Sequence, residues 1–83
     1  MNIFTIYPNP VKDNFTVKFA DFAKGDFTLM ICSVIGTQER VLKLNINGGE
    51  HDYEVGVGDL ASGVHFLLID DKYGTYVQKL VKS

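Results

Sequence analysis

From residue 14 the chain reads Asn-Phe-Thr-Val-Lys-Phe, with an apolar side chain at every second position. A strand sends alternate residues to opposite faces, so Phe15, Val17 and Phe19 fall on one side and Asn14, Thr16 and Lys18 on the other. A helix would scatter the same residues around its girth. The period recurs where Phe27, Leu29 and Ile31 alternate with Thr28, Met30 and Cys32, and where Leu42, Leu44 and Ile46 flank Lys43 and Asn45. Nowhere do apolar residues stand at i, i+3, i+4 and i+7 between caps, so no helix is predicted. Composition points the same way: Val, Ile and Thr supply 20 residues and Ala only 3, and β-branched side chains suit a pleated surface.

Seven strands are predicted: residues 3–7, 14–19, 27–32, 42–46, one through His51, Tyr53 and Val55, then 64–69 and 75–81. In the fifth, Glu50, Asp52 and Glu54 face water. The sixth is apolar on both faces except at His65 and is therefore central. Pro8-Asn9-Pro10, residues 20–25, Val34-Ile35-Gly36, Asn47-Gly48-Gly49 and residues 70–74 supply the turns. Short strands about ten residues apart read as an all-β, immunoglobulin-like antiparallel sandwich. No linker, repeat or low-complexity tract divides residues 1–83, which form one domain.

That domain is small. At 9.3 kDa it should keep roughly 5,000 Å² accessible, enough for one core and no deep cleft. Eight basic and ten acidic side chains leave a net charge of −2 with no Lys/Arg cluster, which excludes phosphate-driven nucleic-acid binding. The longest unbroken apolar runs, Leu29 to Cys32 among them, are far below the ~18–20 residues a membrane-spanning helix needs. The first seven residues lack the basic and apolar regions of a secretory signal. The chain is therefore expected to be either cytoplasmic or the tail of a longer protein, with Met1 not its natural start.

The candidates for chemistry are few: Cys32, His51, His65 and scattered carboxylates. Cys32 lies mid-strand as a small buried hydrophobe and forms no internal disulfide. His65, in the most apolar strand, reads as a satisfied core or interface histidine, and His51 as a solvated turn residue. Their spacing with Cys32 matches no metal site. Asp70 and Asp71 lack the full alternating pattern of a calcium loop, and Gly56-x-Gly58 precedes no helix, so it is no phosphate loop. No catalytic, metal or cofactor-binding residue is expected, and the chain is not expected to be an enzyme. Tyr7, Tyr53, Tyr73 and Tyr76 raise the alternative of a carbohydrate- or surface-binding module.

An ordered set of motifs narrows this. Tyr7-Pro8-Asn9-Pro10 followed by Asn14-Phe15-Thr16-Val17, the segment Ile31-Cys32-Ser33-Val34-Ile35-Gly36, Leu60-Ala61-Ser62-Gly63-Val64-His65-Phe66, and Lys79-Leu80-Val81-Lys82-Ser83 stand in sequence. Together they resemble the C-terminal sorting domains of type IX secretion cargo in Bacteroidetes, from residue 7 to residue 82. The chain departs from that pattern where Cys32 and His65 replace the usual Tyr and where Thr37-Gln38-Glu39-Arg40 lengthens the hairpin after Gly36.

The resemblance implies a non-catalytic secretion signal. Cargo joined at its N-terminal side would pass through the periplasm, and the folded domain would be recognised by the outer-membrane translocon. A sortase would then remove it, leaving the cargo secreted or on the outer-membrane surface. The recognition residues it implies are Tyr7, Pro8, Asn9, Pro10, Gly36, Gly63, Lys79, Leu80, Val81 and Lys82. The prolines should give a rigid, extended lead into the domain. Lys79 and Lys82 beside Leu80 and Val81 should make a basic-apolar edge. Strand edges offer a route to pairing with a receptor or to oligomerisation.

Overall fold

A computed structural model describes residues 3–49 and 51–83, without the side chain of His51. The expectations for Glu50 and for the His51 side chain lie outside these residues. Seven strands run in chain order: β1 (Phe4–Tyr7), β2 (Asn14–Phe19), β3 (Lys24–Ser33), β4 (Gln38–Asn47), β5 (His51–Gly56), β6 (Gly63–Asp71) and β7 (Gly74–Lys82). Among the described residues there is no helix. The strands form two antiparallel sheets, β1-β2-β5 and β4-β3-β6-β7.

The predicted alternation places the core between them. Phe15, Val17 and Phe19 of β2 and Val55 of β5 face Phe27, Leu29 and Ile31 of β3 and Leu67 and Ile69 of β6, all buried. The rings of Phe19 and Phe27 meet across the sheets with centroids 4.9 Å apart. Ile46 and Leu80 extend the core to the two edges of the larger sheet. The accessible surface is 5080 Å², close to the value set by chain mass.

Two features add to the sequence reading. β3 and β4 are each ten residues long, because the stretch after Gly36 continues the ladder instead of forming a longer turn. A register shift between Ile31 and Cys32 absorbs the extra residue there, as a β-bulge does. In addition, β4 pairs with β3, whereas a constant-type immunoglobulin sandwich would place the fourth strand beside the fifth. Leu42 and Leu44 stand directly opposite Leu29 and Phe27, with Leu44 half-buried, Leu42 exposed and only Ile46 of this strand in the core.

Candidate functional site

After Tyr7 the chain turns away from β1. Pro8 and Pro10 have no N–H to give a ladder, and both peptide bonds preceding them are cis. The chain bends at Asn9 and Pro10, contrary to the extended lead expected from sequence. The bend carries Asn9 to the outer edge of β7. There the Asn9 Nδ2 donates to the Lys79 carbonyl at 2.8 Å, and its Oδ1 accepts from the Val81 N–H at 2.9 Å. Two residues on, the Val11 N–H donates to the Val81 carbonyl at 2.7 Å, and the Ser83 N–H donates to the Val11 carbonyl at 2.8 Å.

These four bonds have the pattern of a parallel ladder. Val11 and Lys82 form its backbone bridge, and the Asn9 amide, giving one hydrogen bond and accepting one, imitates the next backbone unit. The first and last sequence motifs are thus brought together across the side of the sandwich. Val11, which the sequence reading did not single out, is fully buried beneath them. Its signal was an apolar residue immediately after the second proline.

The tail strand divides its residues between the two faces. Leu80 is in the core, Lys82 points inward with 8% exposure, Val81 is half-buried and Lys79 is exposed. Covered on one side by β6 and on the other by Asn9 and Val11, this segment is not the open basic-apolar edge expected from sequence. Between β1 and residues 75–78 of β7 the edges separate, leaving a groove of about 520 Å³. Gly36 and Gly63 take φ of 89° and 127° at the turns flanking this end of the domain, conformations that L side chains rarely adopt.

Beside the tail lies a charged cluster. Glu39 and Arg40 come from β4, His65 from β6 and Asp59 from the loop before it. His65 is buried, with Nδ1 2.6 Å from the Glu39 carboxylate and Nε2 2.8 Å from the Ala61 carbonyl. Both ring nitrogens face acceptors, which only the protonated ring satisfies fully. Burial opposes that charge, but the Ala61 carbonyl and then Glu39 outweigh it, so the His65 pKa is raised even with the Lys82 charge opposing. Arg40 pairs with Asp59 and holds its carboxyl below the ordinary carboxylate range, with smaller help from Lys82. His65 is thereby the satisfied histidine expected, although Glu39 gave no sign in sequence of being its partner.

The remaining candidates fall into structural roles. Cys32 is half-buried on the outer face of the larger sheet, opposite Phe66, and is not the fully buried hydrophobe expected. Asp71 Oδ1 accepts from the Tyr73 and Gly74 N–H groups, and Asp70 accepts from the Thr75 hydroxyl. These bonds close the β6–β7 turn. Among the described residues no three His, Cys, Asp or Glu gather as a metal ion requires. The tyrosines do not share a platform: Tyr53 packs on Phe19, Tyr76 on Phe4, and Lys72 covers the ring of Tyr73. Tyr7 and Tyr73 lie at opposite ends of the sandwich.

A family model described as a secretion system C-terminal sorting domain matches residues 5–83. No curated protein matches the chain. The matched span contains every element of the clamp between Asn9, Val11 and the tail.

Proposed function

Because the chain belongs to the family of secretion system C-terminal sorting domains, and so carries a type IX sorting signal, we propose that the outer-membrane translocon recognises it as a folded unit. After passage from the periplasm a sortase cuts on its N-terminal side, and the cargo is left secreted or at the cell surface. The family is not a catalytic one, and in this reading the domain is a substrate of the machinery with no reaction of its own.

The observation that carries recognition of a folded domain is the clamp. The motifs at the two ends of the match form one surface only after β7 has docked, through Asn9 on Lys79 and Val81. An unfolded tail would not present them together. Recognition then draws on the exposed members of the motifs, Tyr7, Pro8, Asn9, Pro10 and Lys79. Leu80, Val81 and Lys82 hold the strand in place, and Gly36 and Gly63 shape the turns.

The test is a periplasm-directed fluorescent protein carrying residues 1–83 at its C-terminus, expressed in a bacterium with a type IX system. Fluorescence in the medium or on the surface, lost in a translocon-deficient strain, is the expected result. Mass spectrometry should find the exported reporter without the domain. Retention in the periplasm with the domain folded would overturn the proposal. Removing residues 79–83 is a poor control, since it deletes the buried Leu80 and the ladder to Val11.

A further inference from the structure

Each sheet has two edges, and three of the four are guarded. β1 has four residues and ends at Pro8. β5 carries Asp52 and Glu54. β4 carries Arg40 and Lys43 and takes part in the register shift at Ile31 and Cys32. Short length, charge, proline and bulges keep an edge from accepting another strand. The β7 edge is covered differently, by Asn9 and Val11 lying along residues 79–83. Ahead of that cover, Gly74-Thr75-Tyr76-Val77-Gln78 holds no charge, no proline and no register shift.

The bonds already made on β7 fix where its other backbone groups point. The Lys79 carbonyl and both backbone groups of Val81 are directed to the outer edge. Along an antiparallel strand that direction recurs at every second residue, so the N–H and C=O of Thr75 and Val77 are directed outward as well. Among the described residues none of these four groups has a hydrogen-bond partner. They open on the groove of about 520 Å³ between β7 and β1. The edge-to-face rings of Phe4 and Tyr76, with centroids 5.7 Å apart, line it.

The neighbouring half of the same edge shows what fits there. Val11 bonds β7 as an extended, parallel backbone, and Asn9 completes the row. Residues 74–78 offer ~16 Å of further edge, enough for about five residues of strand, before Asn9 closes the end. A second copy fits poorly. Antiparallel pairing that sets Thr75 against the copy's Val77 also sets Tyr73 against the copy's Lys79, whose carbonyl Asn9 already holds. Asn9 lines the groove, and Tyr7 and Lys79 directly follow Ile6 and Gln78, which line it too. The open edge is thus continuous with the motif residues assigned to recognition above.

We propose that a component of the export machinery grips the folded domain by laying an extended segment along residues 74–78, parallel to β7, as an added strand. The inference rests on the sorting role proposed above and adds the place and mode of contact. Main-chain bonds to Thr75 and Val77 hold the segment, and apolar side chains at alternate positions of it meet Phe4 and Tyr76, as in other strand-addition complexes. In the same reporter, Val77→Pro removes one outward N–H at an edge position that tolerates proline and should lower export about tenfold or more. Lys43→Pro is the control. Carried across β6 and β3, the same alternation turns the Lys43 N–H to the outer edge of β4, so export should be unchanged. Circular dichroism of each purified domain checks the fold. Should a proline variant unfold, Val77→Lys with Val41→Lys as control, both at exposed positions, takes the place of the pair with the same expectation. In the unbound wild-type domain the Thr75 and Val77 amides should exchange fast and the Val81 amide slowly.

Export of the folded Val77 variant at the wild-type rate, with the wild type exported, overturns the contact. So does an equal loss from the β4 control, or slow exchange at Thr75 and Val77 in the dilute domain. A dimer in sedimentation that Val77→Pro abolishes would reassign the edge to a second copy and also overturn it. If the wild type itself stays in the periplasm, the sorting role fails instead.

Discussion

Replacing Asn9 with Ala removes the side-chain half of the clamp and leaves the Val11 backbone bonds. The amide makes two hydrogen bonds to β7, at 2.8 and 2.9 Å, and both lie at the surface. Water can replace an exposed bond in part, so each belongs to the lower half of the ~0.5–1.5 kcal/mol range, or about 1–2 kcal/mol for the pair. For a domain of this size 1 kcal/mol moves Tm by about 4–8 °C, so Asn9→Ala should lower Tm by roughly 5–15 °C. Hydrogen exchange adds the location. The Val81 amide loses its acceptor, and the Ser83 amide loses the support that holds Val11 in place. Both should exchange faster, while Leu29 and Leu67 in the centre of the larger sheet keep their protection. Asn9→Asp keeps the acceptor for Val81 but sets an oxygen against the Lys79 carbonyl, and should destabilise at least as much. A Tm within about 1 °C of wild type, with Val81 exchange unchanged, would refute the reasoning and leave β6 and the Val11 backbone bonds as the supports of the tail.

Other outcomes follow from the same geometry. Leu80→Ala should cost about 2–5 kcal/mol in urea unfolding, while Lys79→Ala one residue earlier should stay within about 0.5 kcal/mol; equal effects would contradict the inward-outward division of the tail. His65 has a folded pKa above its unfolded value of 6.5, so its contribution is complete below that pH and is lost as pH rises through the folded pKa. Thermal scans from acid to mildly alkaline pH should show wild type losing stability across that window relative to His65→Gln, and a constant difference would remove the Glu39–Ala61 account. Gly63→Ala, at φ 127° with open space for a Cβ, should lose roughly 1 kcal/mol or more to backbone strain alone. Gly74→Ala, where φ is not positive and space is equally open, should be near neutral by the same denaturation assay.

Much of the fold was readable residue by residue. The alternation in Phe15-Val17-Phe19 and in Phe27-Leu29-Ile31 names both the strands and their buried faces, because a period of two is a local property of the chain. The same locality let Val64 to Ile69 be recognised as a central strand, with His65 as its one polar member. The motifs of the site were equally visible, but their roles were not. Leu80 and Lys82 looked like part of an open edge because nothing near them in sequence shows what lies alongside. Their cover is Asn9 and Val11, about seventy residues away. Glu39 was invisible as the partner of His65 for a related reason, since the bulge between Ile31 and Cys32 shifts the register of β4 at that end.

The sequence by itself determined an all-β chain, which side of each strand is apolar, where the turns fall and the family to which the motifs point. The tertiary structure decided which strand β4 joins and which half of β7 remains an open edge. Side-chain period is set by each residue's own backbone. Partnership across an edge depends on which distant segments can satisfy the same N–H and C=O groups, and that competition is resolved only when the whole chain has folded.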